Sequence, residues 1–307
     1  MSNSNDIAIT DIVRGLQDVK IERGDVVLVH SAMRTFGKVQ GGGKTVVEAF
    51  LKVLGPEGTL IMPTFTFAHE AEKEPVIDPQ NDKSEMGAIS ESVRLHPEAL
   101  RSTAFRHSFA AIGRRAEVIT RVDPKLSPFD LRSSFGVMLA LNAKVLLAGL
   151  TYSSCTSHHF AEWVCDVPYR HAIPLNVKVR RPDGSIVLQQ MTDYQPKPGK
   201  DGSYYGSRHT DFNFLGKMLE DKKLVNISCI GNAVIRSFTM RDIISLAESE
   251  AKKDYNVFRV GEGGKSGYFT PLDVGQIVIS GDMKDGAGRS AHYQWCVRDE
   301  TKLMANK

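Results

Sequence analysis

The segment Thr156-Ser-His-His-Phe-Ala-Glu162 sets a hydroxyl, an imidazole and a carboxylate at intervals of three residues. On a helix, positions i and i+3 share a face, so His159 and Glu162 are expected to meet. A carboxylate beside an imidazole fixes its tautomer and raises its basicity, which makes a general base whose other nitrogen faces a substrate. Thr156 is expected to cap the start of that helix. An exposed His–Glu pair that adds only about 0.3 kcal/mol to a surface helix satisfies the same spacing.

Other groupings fall short of a chemistry. His158, His159 and Glu162 lack the HExxH spacing of a zinc site, and adjacent histidines point apart on a helix, so no metal is expected. Gly41-Gly42-Gly43-Lys44-Thr45 ends like a phosphate-binding loop, but that pattern needs a glycine at position 38, where Lys38 stands. The stretch 261–267 fails similarly, with Arg259 in the place of the first glycine. No GxSxG nucleophile elbow occurs.

The chain that carries these residues has 307 positions, 41% hydrophobic and 24% charged, which suits one core and excludes disorder. Its 39 Lys and Arg nearly balance 36 Asp and Glu, and they are dispersed, so nucleic acid is not an expected partner. No apolar run approaches the roughly 18 residues of a membrane span, and the opening MSNSNDIAITD has no secretory character. Four cysteines without a CxxC pair point to a reduced, cytoplasmic protein.

Strand and helix signals alternate through the first half. Strands are expected at 25–30, 59–63, 108–112 and 144–150, and helices at 45–54, 84–95, 114–120 and 157–164. This alternation predicts an α/β fold: a single-domain mixed sheet flanked by helices. The second half adds a β-hairpin insertion, with strands at 175–180 and 186–190 around Pro182-Asp183-Gly184, then a loop over 196–207. A strand at 225–230 lies between helices expected at 211–220 and 233–247. Residues 1–254 form the expected main domain. Residues 255–307 form a C-terminal strand and loop appendage packed on it.

Several strings occur in a recognisable order. Val27-Leu-Val-His-Ser31 precedes a glycine-containing turn, and Glu85-Met-Gly-Ala-Ile-Ser-Glu-Ser-Val-Arg94 follows. Then come Arg101-Ser102, His107-Ser-Phe-Ala-Ala-Ile-Gly113, Lys125-Leu-Ser-Pro128, the strand at 145–149, Thr156-x-x-His159-x-Ala-Glu162 and Gly231-Asn-Ala233. Over about residues 20–250 the chain resembles the aminoglycoside 3-N-acetyltransferase family, also called the antibiotic N-acetyltransferases.

The resemblance implies an acyltransferase that moves acetyl from acetyl-CoA, a cosubstrate, to a small-molecule amine by direct attack in a ternary complex. It makes His159 the base and Glu162 its orienting partner, with His30 beside them as a further catalytic residue. Ser31, Ala32, Met33 and Gly37, in the turn after the first strand, are the implied thioester and pantetheine contacts. Thr64, Arg101, Ser102, His107, Ser108 and Phe109 complete the implied coenzyme site. One departure stands out, since Ala104-Phe105 occupy positions where relatives usually carry His-Pro. A homodimer is compatible with the resemblance.

Chemistry agrees with these roles, because an alkyl ammonium must lose a proton before its nitrogen can attack a thioester. Backbone N–H groups over 31–37 are one source of donors for the developing oxyanion. Cys155 is a rival, as a thiol near a histidine can carry an acyl group covalently, though a packed thiol fits its position too. A pI near 8.6 and the basic runs Lys178-Val-Arg-Arg181 and Lys197-Pro-Gly-Lys200 point to a neutral or anionic acceptor, such as a nucleotide-linked amino sugar. The alternatives are an aminoglycoside acceptor, or a relative that binds CoA without turnover or hydrolyses it.

Overall fold

A computed structural model describes residues 6–198, 210–259, 276–284 and 290–298. The centre of the fold is set by three short apolar runs that alternate across a sheet. In β1 (Val26–Ser31), β2 (Thr59–Pro63) and β6 (Lys144–Ala148), Leu28, Ile61, Val145 and Leu147 point to one face. Val27, Val29, Leu60, Met62, Leu146 and Ala148 point to the other. Strands with both faces buried read as continuous hydrophobic runs, and all five residues of β2 are buried.

These three strands are parallel, β1 pairing with β2 on one side and β6 on the other. Antiparallel strands extend both flanks: β5 (Phe109–Gly113) and then β4 (Leu100–Arg101) beyond β2, and β10 (Ala233–Thr239) beyond β6. β9 (Asn226–Ile230) lies on β10, and β11 (Gln276–Lys284) and β12 (Ser290–Arg298) form a hairpin joined to β10 at Ala233–Val297. The result is a mixed sheet flanked by helices.

On one face lie α1 (Ile9–Asp18), α2 (Gly42–Leu54) and α3 (Ala88–Arg94). The other face is covered by α4 (Ala116–Thr120), α5 (Ser134–Ala140), α6 (Ser157–Val164), α7 (Asn213–Asp221) and α8 (Met240–Ala251). A second sheet consists of β7 (Arg170–Arg180) and β8 (Ile186–Pro196), with β3 (Val76–Ile77) parallel to β7. The hairpin expected around Pro182-Asp183-Gly184 is there, and it is longer than the spacing suggested.

Two sequence expectations need correction. The helix expected over 233–247 is split: residues 233–239 form β10, and the helix starts only at Met240. Six of the seven β10 residues are buried between β6 and β9, so tertiary pairing overrides the apparent helical run. Thr239 starts α8 with a capping box, accepting from Asp242 N–H at 3.1 Å while Asp242 accepts from Thr239 N–H at 3.2 Å. The helix expected over 84–95 begins at Ala88, after Gly87 at φ 97°. Residues 199–207 of the expected loop, and most of the stretch after 259, lie outside the described residues.

Gly149, directly after β6, has φ 72°, and a Cβ there would sit 1.8 Å from Thr35 Oγ1. That contact brings the β6 turn against the β1 turn. Gly149→Ala is expected to cost about 1–2 kcal/mol from the left-handed backbone alone, with the clash adding to it; urea unfolding measures the loss.

Candidate active site

In α/β sheets, ligands bind beyond the carboxyl ends of the parallel strands. Here the turn at 31–37 follows β1, Thr64 follows β2, and the turn at 149–156 leads from β6 into α6. Three separate stretches of sequence therefore converge on one edge.

Thr156 does not cap α6. Its backbone is already helical (φ −65°, ψ −17°), so its side chain makes no cap hydrogen bond. The chain enters the helix through Cys155, whose carbonyl accepts from His158 N–H at 3.1 Å. The i, i+3 pairing is present, with His159 Nδ1 2.6 Å from Glu162 Oε2.

Glu162 is fully buried, whereas a quarter of the His159 side chain is exposed (25%). Tyr169 donates its hydroxyl to Glu162 Oε1 at 2.9 Å. Arg170 Nε lies 2.8 Å from Glu162 Oε2, an ion contact in which the N–H is not aimed at the oxygen. A carboxylate only accepts, so its short contact assigns the proton to Nδ1 and leaves the Nε2 lone pair of His159 free to act. Burial among Phe129 and Phe212 lowers the His159 pKa below 6.5, with Arg170 adding to the shift and Glu162 opposing it.

Of the neighbouring histidines, His30 and His158 are buried and His107 is half-buried. His107 lies edge-on to Phe65 and Phe129, 4.8 and 5.0 Å between ring centres, and burial pushes its pKa down to about 3. Phe129 touches both His107 and His159, which links the two rings. His30, at the end of β1, is pushed down to about 4 by burial and has an Nε2 without a partner. His158 is stacked on Phe212 at 4.5 Å, with Nδ1 on the Cys155 carbonyl. It is therefore a packed neighbour of His159. Cys155 is in the core, and burial pushes its thiol up to about 12, which removes the thiolate a covalent route requires.

In the first turn, Ser31 pairs with Ala148, and Ala32 N–H donates to the Ala148 carbonyl at 2.9 Å. Met33 opens a 3-10 turn over Met33–Thr35, in which Thr35 N–H donates to Ala32 O and Phe36 N–H to Met33 O. The Ala32, Thr35 and Phe36 amides are thus engaged within the fold. Gly37 is exposed, with φ 96°. Ala32 also packs with Leu150 and Trp295, and Arg34 lies over the Trp295 ring at 4.3 Å.

Arg101 has a structural position. Its Nε faces Thr64 Oγ1 and Ser108 Oγ at 3.2 and 3.3 Å. Nη1 donates to the carbonyls of Pro79 and Asp82, and Nη2 to Thr64 O and Thr66 Oγ1. All five N–H groups are engaged, so none is left for a coenzyme phosphate. Ser102 Oγ accepts from Phe109 N–H at 2.9 Å, closing β4 on β5, and Phe109 is core. Arg101→Ala would strand several carbonyls, each worth about 1–3 kcal/mol, so a large drop in Tm is expected in a thermal melt.

Sequence reasoning missed Tyr169, Arg170, Phe129 and Phe212. Tyr169 and Arg170 lie beyond the end of α6, where no periodic pattern ties them to Glu162. Among the described residues, no group of His, Cys, Asp or Glu is placed to hold a metal, and no helix is long and apolar enough to cross a membrane.

The model of the family described as aminoglycoside 3-N-acetyltransferase matches residues 28–251, a stretch that contains this edge. The chain belongs to the aminoglycoside 3-N-acetyltransferase family. It is an acetyl-transferring enzyme. Among similar sequences, aminoglycoside N(3)-acetyltransferase IV of a Salmonella species is 28% identical over 255 residues, 83% of this chain and 91% of the relative. The aminoglycoside N(3')-acetyltransferase-like protein YokD of Bacillus subtilis is 26% identical over 257 residues, 77% of this chain and 89% of the relative. The crystal structure of YokD superposes with a TM-score of 0.71 at 23% identity, covering 82% of this chain and 96% of that one, a likeness of fold. The apoenzyme of aminoglycoside acetyltransferase AAC(3)-IVa superposes at 0.67 and 25% identity, covering 84% and 93%.

Proposed function

We propose that this family member transfers an acetyl group from acetyl-CoA to an amine of an aminoglycoside-type acceptor, with His159 as general base. One observation carries the reading: a partly exposed imidazole whose Nδ1 is fixed by a fully buried carboxylate, beyond the carboxyl ends of the parallel strands of a mixed sheet. The ammonium first loses one proton to solvent; Nε2 of His159 then takes a second proton as the neutral amine nitrogen bonds to the thioester carbonyl carbon. The tetrahedral intermediate collapses with cleavage of the C–S bond, the imidazolium returns its proton to the departing coenzyme thiolate, and the amide forms. The Glu162 carboxylate stabilises the transient imidazolium, with Tyr169 and Arg170 holding it in place. The buried thiol of Cys155 favours direct transfer over an acyl-enzyme.

The acceptor is where the charge argument gives way. Net basicity pointed to a neutral or anionic amine, but the relatives above are named for aminoglycosides. One solved structure is a histidine-to-alanine variant of AAC(3)-IVa in complex with a gentamicin, with a TM-score of 0.65 at 25% identity. Bulk charge averages over a surface, whereas an acceptor meets only the groups in its cleft.

The test is coenzyme thiol release from acetyl-CoA with and without gentamicin, with intact mass of the product. Amine-dependent release and an acetylated product are expected. Binding of acetyl-CoA without release, or release independent of amine, would refute the reading. Because burial lowers the His159 pKa, the acid limb of the kcat/KM–pH profile, which reports the free enzyme, is expected to lie below the ordinary imidazole range.

A further inference from the structure

The second sheet ends in a strand edge that the transfer chemistry does not use. β7 and β8 pair residue for residue, from Arg170–Pro196 to Arg180–Ile186, without a bulge. At the hairpin, Arg181 N–H donates to the Ser185 carbonyl at 2.8 Å, which fixes the alternation of the ladder. Val187 and Gln189 therefore turn their N–H and C=O groups toward β7, and Ile186, Leu188 and Gln190 turn theirs away from it. Among the described residues, no group donates to or accepts from these outward backbone groups. Farther along, Thr192 Oγ1 donates to the Lys125 carbonyl at 2.7 Å, so the segment around Lys125 lies against the edge there.

Proteins blunt a free edge with lysine, proline or a bulge. The run Ile186-Val-Leu-Gln-Gln-Met-Thr192 has none of these and no charge. Its outward residues are open to solvent: Ile186 is 48% exposed, and Leu188, at 69%, is the most exposed large hydrophobic of the described residues. The edge is also complementary to itself. Antiparallel pairing about a twofold axis through Leu188 sets that residue opposite Leu188 of the partner subunit, and Ile186 opposite Gln190 of the partner subunit. These are the pairs that exchange N–H···O=C bonds, so every outward group of Ile186, Leu188 and Gln190 is satisfied, and no like charges meet. An axis through Val187 would strand Gln190, and one through Gln189 would bring Ile186 against Thr192 of the partner subunit, where the edge is already occupied.

We propose that β8 is a dimerisation edge, through which two copies of this chain pair antiparallel over residues 186–190. The second sheets of the two subunits then form one continuous sheet, in a closed twofold assembly. So short a contact makes a weak dimer, with a Kd on the order of 10 μM. The inference is independent of the acetyl-transfer reading.

Sedimentation velocity of the full chain from about 1 to 200 μM, a span that brackets this Kd, is expected to show monomer passing into dimer. Leu188→Glu sets two carboxylates against each other on the axis and is expected to raise Kd by more than about tenfold. Leu95→Glu removes a leucine of similar exposure (65%) elsewhere on the surface and is expected to leave the dimer unchanged. Leu188→Cys reads the register: mild oxidation should cross-link it across the axis above the wild-type background. Gln190→Cys, about 13 Å along the strand from its symmetry mate, should not cross-link. A melt checks that Leu188→Glu folds, and the Leu188→Cys cross-link decides if it does not. A wild-type chain that stays monomeric throughout overturns the proposal. So does a folded Leu188→Glu chain that dimerises as the wild type does, loss of the dimer in Leu95→Glu, or cross-linking at 190 in place of 188.

Discussion

His159→Ala is expected to lower kcat by at least about a hundredfold, the lower end of the range for general-base catalysis. The loss should appear in kcat, with acetyl-CoA affinity retained, because the role proposed for His159 is on the proton of the attacking amine. The fold should tolerate the change. The ring is partly exposed, and its partner Glu162 keeps contacts with Tyr169 and Arg170. Steady-state kinetics at saturating amine, with calorimetric titration of acetyl-CoA, checks both halves. A wild-type rate in a folded His159→Ala enzyme would remove the imidazole from the mechanism. His158→Ala is the contrasting case, because that ring is buried against Phe212 and its loss should appear as lowered stability.

Glu162 has the second large effect, which is expected in stability as well as in turnover. Its carboxylate is fully buried and meets His159, Tyr169 and Arg170. Removing one partner of a buried ion pair leaves the other charge uncompensated, typically at about 3–5 kcal/mol. Glu162→Ala should therefore unfold at markedly lower urea, with Arg170 stranded. Glu162→Gln keeps the volume and the Tyr169 contact, so its cost should be smaller. It also removes the carboxylate that raises the His159 pKa. The sign follows: the acid limb moves to still lower pH, while the base becomes weaker and the plateau rate falls. Equal stability of Glu162→Ala and the wild type by urea unfolding would show that Arg170 does not depend on the pair.

Local pattern made much of this legible. The bounds of α6 at 157–164 and the His159–Glu162 contact follow from three-residue spacing on a helix. The central strands follow from short β-branched runs between glycines and prolines. What spacing could not show is what arrives from elsewhere in the chain. Tyr169 and Arg170 reach Glu162 only because the chain reverses after α6 into β7. The resemblance places Arg101 in the implied coenzyme site, but only tertiary structure shows every N–H engaged by Thr64, Thr66, Pro79, Asp82 and Ser108. The misread helix at 233–247 has the same origin: Ala233 to Thr239 has helix-compatible residues, and pairing with β6 decides otherwise. Thr239 and Asp242, a capping pair three apart, mark the true start.

Trp295 ties the order of synthesis to the completion of the candidate site. Its strand bridges Leu150, its neighbour Cys296 donates N–H to the Gly149 carbonyl at 3.1 Å, and its ring lies under Arg34 and against Ala32. Both turns that carry the candidate residues are thus braced by a segment translated more than a hundred residues after them. A nascent chain that has already emerged as far as α8 has His159 and Glu162 in hand, yet the walls around them wait for β12 to dock.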